Sequence, residues 1–232
     1  MDTPLHIPYL NGRINPTLRT PRAIATIILT VITAIPALIG LTSHIIASQP
    51  FGEEVPTTLH QGDRVSVEGS GYCTIGYVDA KSRTAITAKH CAEKLLIPNA
   101  PLVKRNLHVI SRTAPTLIDD RDIAIIHLSD NVRIGGNPYT GDTLLTASEV
   151  AHIIDTRDVQ VCNYGKRSNT VTCQDVARLT GNTLFGRGAT NIPGDSGGPV
   201  WLKDDTGASL GFIGVVSATG GDFNIYALNK DQ

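Results

Sequence analysis

Residues 194–199 read Gly194-Asp195-Ser196-Gly197-Gly198-Pro199, a serine set between glycines and closed off by a proline. Glycine lets the backbone take tight turns and lets another segment approach closely. Such a turn can hold the Ser196 hydroxyl clear of its neighbours and aim the amides of Gly194 and Ser196 at one point. Donors placed that way would stabilise the oxyanion of a tetrahedral acyl-transfer intermediate. An isolated Asp-Ser-Gly reads equally well as a solvated turn, but the complete six-residue string is far more specific.

A serine nucleophile needs a base within hydrogen-bond reach and a third group to orient that base. Of the seven histidines, His90 stands in Ala85-Ile86-Thr87-Ala88-Lys89-His90-Cys91, at the end of a strand-like run and directly before a cysteine. The plainer reading is a loop histidine beside a structural cysteine. His127, inside Ile125-Ile126-His127-Leu128, fits a structural or surface position in a strand; His60, His108 and His152 have no motif around them. For the carboxylate, Asp119, Asp120 and Asp122 precede one apolar run, and Asp122 opens it in Asp122-Ile123-Ala124-Ile125. Asp119 and Asp120 read as capping residues.

These three strings resemble the chymotrypsin-like (trypsin-fold) serine proteases: the nucleophile loop, the Thr-Ala-x-His-Cys signature and the Asp-Ile-Ala-Leu motif. Their order here, His90, Asp122, Ser196, is that family's order, whereas subtilisin-like and α/β-hydrolase enzymes use others. An α/β-hydrolase elbow would also open a helix after the serine, which Pro199 disfavours. The intervals, 32 residues from position 90 to 122 and 74 from 122 to 196, resemble the compact bacterial branch of streptogrisin and α-lytic type. The likeness spans about residues 62–230 and is loose outside the motifs.

The resemblance implies an all-β fold of two six-stranded antiparallel barrels. It casts Ser196 as nucleophile, His90 as general base, Asp122 as the carboxylate that orients it, and the Gly194 and Ser196 amides as the oxyanion hole. It pairs Cys73 with Cys91 and Cys162 with Cys173, and sets Thr190, Ser217 and Thr219 at the primary specificity pocket. It implies protein or peptide substrates, a monomer, and neither organic cofactor nor metal. Two departures stand out. Where the streptogrisin-like loop carries an arginine after its first cysteine, paired with the aspartate before the nucleophile, this chain has Asn163, which leaves Asp195 without an assigned cation. Streptogrisin-like enzymes also carry a large folding propeptide, whereas at most about 20 residues lie here between the apolar run and the barrel region, and the animal-type Ile-Val-Gly-Gly activation string is absent from the sequence. The alternative from another class is a catalytically silent trypsin-fold binding module, or a zymogen awaiting a cut near residue 62.

Composition agrees with one ordinary domain. The chain has 232 residues, 22 glycines, 13 prolines and a formal net charge of -1, with Lys and Arg scattered, so neither nucleic acid nor an anionic surface is indicated. Short β-branched runs between Gly, Asn and Asp breaks read as strands: 64–68, 71–78, 85–88, 107–110, 123–128 and 210–216. Ala147 to Ile154 fits a short helix or a strand edge. Four cysteines without CxxC spacing fit disulfides of an exported protein better than a zinc site. Ala23 to Ala47 lacks Asp, Glu, Lys and Arg and follows Arg13, Arg19 and Arg22. About 20 apolar residues span a bilayer as a helix, so residues 1–47 are expected to be a signal peptide or membrane anchor. The following chain then lies outside the cytoplasm, secreted or surface-held. Residues 48–61 read as a linker or short propeptide, and 62–232 as the protease domain.

Overall fold

A computed structural model of the chain describes residues 57–67, 71–93, 103–105 and 108–229. In chain order the elements are β1 (Thr58–His60), β2 (Arg64–Val67), β3 (Tyr72–Thr74), β4 (Tyr77–Asp79), β5 (Thr84–Thr87), α1 (Lys89–Glu93), β6 (Val103–Arg105), β7 (His108–Ser111), β8 (Thr116–Ile118), β9 (Ile123–His127), β10 (Arg133–Gly136), α2 (Ala147–Thr156), β11 (Gln160–Gly165), β12 (Thr170–Thr180), β13 (Thr183–Arg187), β14 (Pro199–Lys203), β15 (Ser209–Gly220) and β16 (Phe223–Leu228).

The C-terminal half is a closed antiparallel barrel in the order β11-β12-β13-β16-β15-β14. Alternation along its strands turns Val161, Leu184, Val200, Leu202, Ile213 and Tyr226 into one core. Helix α2 closes onto that core through the fully buried Val150. The ambiguity over 147–154 falls to helix for a local reason. Thr146 accepts from the Glu149 amide at its N-terminus while the Glu149 carboxylate reaches back to the Thr146 amide, a reciprocal cap that fixes the first turn.

The N-terminal half does not confirm the expected second six-stranded barrel. Among the described residues its strands lie in two four-stranded sheets, β3-β2-β6-β7 and β4-β5-β9-β8, with β1 and β10 as a parallel pair. All three contribute to one core of Leu59, Val65, Val78, Ala85, Ile110 and Ile126. The physical reason lies at corners such as Ile75-Gly76. The run 71–78, read as one strand, breaks there: the Ile75 amide donates to the Asp63 carbonyl on the β2 side, and the Gly76 amide to the Ile86 carbonyl of β5. Corners held by one or two bonds in place of continuous ladders leave these strands, among the described residues, in separate sheets. Residues 58–61, assigned by composition to a linker, belong to the fold. Thr58–His60 pairs with β10, and Leu59 is fully buried in the core.

Both implied disulfides, Cys73–Cys91 and Cys162–Cys173, are formed. The apolar run 23–47, its basic flank and most of the 48–61 segment lie outside the described residues. Among those described, no helix is long and apolar enough to cross a membrane.

Candidate active site

Antiparallel pairing of β5 with β9 sets Thr87 opposite Ala124. The chain leaving β5 therefore turns into the short α1 beside Asp122, one residue ahead of β9. His90 meets that carboxylate twice. Its backbone amide donates to Asp122 Oδ1 at 2.8 Å, and its ring Nδ1 lies 2.8 Å from Oδ2. Ser217 Oγ donates to the same Oδ2 at 2.5 Å. Burial alone would raise the Asp122 carboxyl. The donors from the His90 ring, Ser217 and the His90 amide outweigh it and hold the group below its ordinary value. Ser217, expected at the specificity pocket, is thus engaged with the carboxylate.

The loop carrying Ser196 is held by the opposite half of the molecule. Thr74, fully buried, donates its amide to the Ser196 carbonyl at 2.8 Å and its hydroxyl to the Gly194 carbonyl at 2.9 Å. Gly194 has φ +105° and Gly197 φ +81°, left-handed backbone that favours glycine. A Cβ on Gly197 would come 2.1 Å from Thr87 Oγ1 and 2.5 Å from the Thr74 carbonyl. These glycines let the loop seat against β3 and β5. Among the described residues, the amides of Gly194 and Ser196 have no backbone acceptor.

Asp195 is fully buried, and backbone amides occupy the place of the missing cation. Its Oδ1 accepts from the amides of Arg167 at 2.9 Å and Ser168 at 2.8 Å, and its Oδ2 from that of Ile192 at 3.1 Å. Gly165 clears the space, since a Cβ there would fall 2.1 Å from Asp195 Cγ. Asn163 joins a neutral network in place of a salt bridge. It donates to Asn191 Oδ1 at 2.8 Å and accepts from the Tyr226 hydroxyl at 2.7 Å. Asn224, fully buried, accepts from the Thr190 and Asn191 amides at 3.1 Å each and donates to Thr190 Oγ1 at 2.8 Å.

His90, Ser196 and Gly194 line one cavity of about 580 Å³, together with Tyr72, Asn191 and Thr219. Thr219 also donates to the Asn191 carbonyl at 3.1 Å. Thr190 is not among the lining residues and sits behind Asn191 in the network. Among the described residues no hydrogen bond joins the Ser196 hydroxyl to His90, whose Nε2 lies 3.8 Å from Cys91 Sγ. Resting acyl-transfer sites often show long or unformed catalytic bonds that tighten on substrate. His127 is exposed and bonds Thr116, as a surface strand residue would. Among the described residues no group of three or more His, Cys, Asp or Glu side chains is placed to hold a metal.

No family model matches the chain, and a search of curated proteins returns no match. Solved structures do match. A glutamic-acid-specific serine protease that uses a histidine triad in substrate binding aligns with a TM-score of 0.50 at 16% identity, over 73% of this chain and 93% of that one. The serine protease of a human pathogenic astrovirus aligns with a TM-score of 0.46 at 15% identity, over 77% and 96%. The protease Anisep from Arthrobacter nicotinovorans aligns with a TM-score of 0.45 at 12% identity, over 77% and 93%. The fold is that of the chymotrypsin-like serine proteases, as the motifs implied.

Proposed function

We propose that the chain is a serine endopeptidase that hydrolyses peptide bonds through an acyl-enzyme on Ser196. The observation that carries this reading is the doubly bonded His90–Asp122 pair opening onto the same cavity as a glycine-flanked serine. With Nδ1–H held by Asp122, the His90 ring presents Nε2 as the base. It takes the Ser196 proton as Oγ attacks the scissile carbonyl, then returns it to the departing amine. Asp122 stays ionised and stabilises the imidazolium. The amides of Gly194 and Ser196 receive the oxyanion. Water then repeats the cycle on the acyl-enzyme, with no metal or organic cofactor in any step.

Disulfides and the apolar run 23–47 support an extracytoplasmic protein, with residues 1–47 as signal peptide or anchor. The catalytic domain then begins at β1. The lack, among the described residues, of a hydrogen bond between the Ser196 hydroxyl and His90 favours one second reading, a trypsin-fold module that binds without cleaving. Incubating the full chain with a degenerate peptide library distinguishes the two. Endopeptidase action predicts cleavage by the wild type, reduced about 10⁴-fold in Asp122→Asn, the loss expected when the base sits in the wrong tautomer. A folded, disulfide-bonded protein that leaves the library intact contradicts it.

A further inference from the structure

Tyr72 lines the cavity from β3, in the half of the molecule that carries His90, and rests on the nucleophile loop. A Cβ built on Gly194 would lie 3.1 Å from Tyr72 Cε2 and 3.0 Å from Arg167 Cβ. Two guanidinium groups are fixed on this one ring. Arg64 stacks with its Cζ 3.7 Å from the ring centroid, and Arg167 Nη1 donates to the Tyr72 hydroxyl at 2.8 Å. Both arginines are exposed. Among the described residues neither pairs with a carboxylate; Asp195 takes the Arg167 amide and not its side chain. Aromatic stacking and the hydroxyl bond hold the two cations in place before any ligand arrives. An incoming anion therefore meets ordered partners, which reduces the ordering cost of binding.

We propose that Arg64 and Arg167 form a carboxylate-binding rim on the cavity, selecting peptide bonds with Asp or Glu within about three residues of the cut. The inference rests on the peptidase reading above. Arg64 on β2 and Tyr72 on β3 belong to the N-terminal half and Arg167 to the β11–β12 turn of the C-terminal half, so the two cations reach one cavity-lining ring from both halves. Planar guanidinium groups suit a carboxylate, which can accept two parallel N–H bonds.

The test is cleavage of the degenerate peptide library by the full chain, with every cut position read by mass spectrometry. The expected result is enrichment of Asp and Glu near the cut by about fivefold, the scale of one or two exposed charge pairs, shrinking as salt is raised toward 1 M. The Arg64→Gln/Arg167→Gln variant should lose the enrichment, while Arg64→Lys/Arg167→Lys, which keeps both charges, retains part of it. Products without acidic enrichment, or enrichment unchanged in the Gln variant, overturn the rim while leaving the peptidase reading intact. No products from the wild type overturn that reading, and the rim with it. A folding failure of the Gln variant is recognised by its circular dichroism; the Lys variant and the salt series then decide, and enrichment insensitive to salt overturns the rim.

Discussion

Asp195 is a buried carboxylate satisfied entirely by main chain, and that arrangement explains why Asn163 is tolerated where a cation was expected. Three amide donors can stabilise an ionised carboxylate as charge-assisted bonds without a side-chain partner. A one-dimensional reading finds side chains that replace one another, but not amides that a hairpin turns inward, so this solution was invisible in the sequence. The three residues proposed as a triad could be picked out because each lies in a local string; Thr74 could not, since its place depends on two bonds to a loop 120 residues away. Two outcomes belong at this scale. Gly194→Ala forces a side chain into left-handed backbone at φ +105° and against Arg167 and Tyr72. It should cost about 1–3 kcal/mol in urea unfolding and displace the Gly194 amide from the cavity. Ser217→Ala removes a donor from Asp122 and should lower kcat about tenfold with little change in KM, the magnitude of one hydrogen bond to a charged group. A change confined to KM would return Ser217 to the specificity pocket.

At the level of elements, the β11–β12 hairpin does more than close the barrel. Cys162 and Cys173 face each other across it, and its turn supplies the Arg167 and Ser168 amides that seat Asp195. Replacing both cysteines by serine should lower stability by about 2–3 kcal/mol, the scale for a closed loop of this size. Reactivity of Ser196 should fall as well, because the turn that holds the preceding residue loosens. Unfolding in urea and the rate of serine labelling check the two effects separately. The β-branched runs read from the sequence fall on β2, β5, β7 and β9 to within a residue, since such runs are a local property, while 210–216 stops short of the end of β15 and most strands of the closed barrel were not read. Periodicity failed at Ile75-Gly76, where one apolar run serves two sheets, and at Thr58–His60, where a strand of three residues is too short to show a period.

Across the whole molecule, the N-terminal half supplies His90, Asp122 and Thr74, and the C-terminal half supplies Ser196, Asp195 and Ser217. The bonds from Thr74 to the serine loop and from Ser217 to Asp122 join the halves at the site itself, so folding and site assembly are coupled. The Asp122 carboxyl is held below its ordinary value in the folded state. Its contribution to stability is therefore present above the unfolded carboxyl value, about 3.9, and is lost as pH falls through the lower folded value. The difference in unfolding free energy between wild type and Asp122→Asn should be level above about pH 5 and narrow as pH falls below about 4. The closed barrel was implied by resemblance and is present. The second is not confirmed, since the described strands of that half lie in separate sheets, and sequence patterns give strand faces and not which strands close a ring. The central claim, a nucleophilic Ser196 activated by His90, is tested most directly by labelling the full chain with a fluorophosphonate. The account predicts stoichiometric modification of the wild type at Ser196, and none in Ser196→Ala. A folded wild-type protein that stays unlabelled would contradict it.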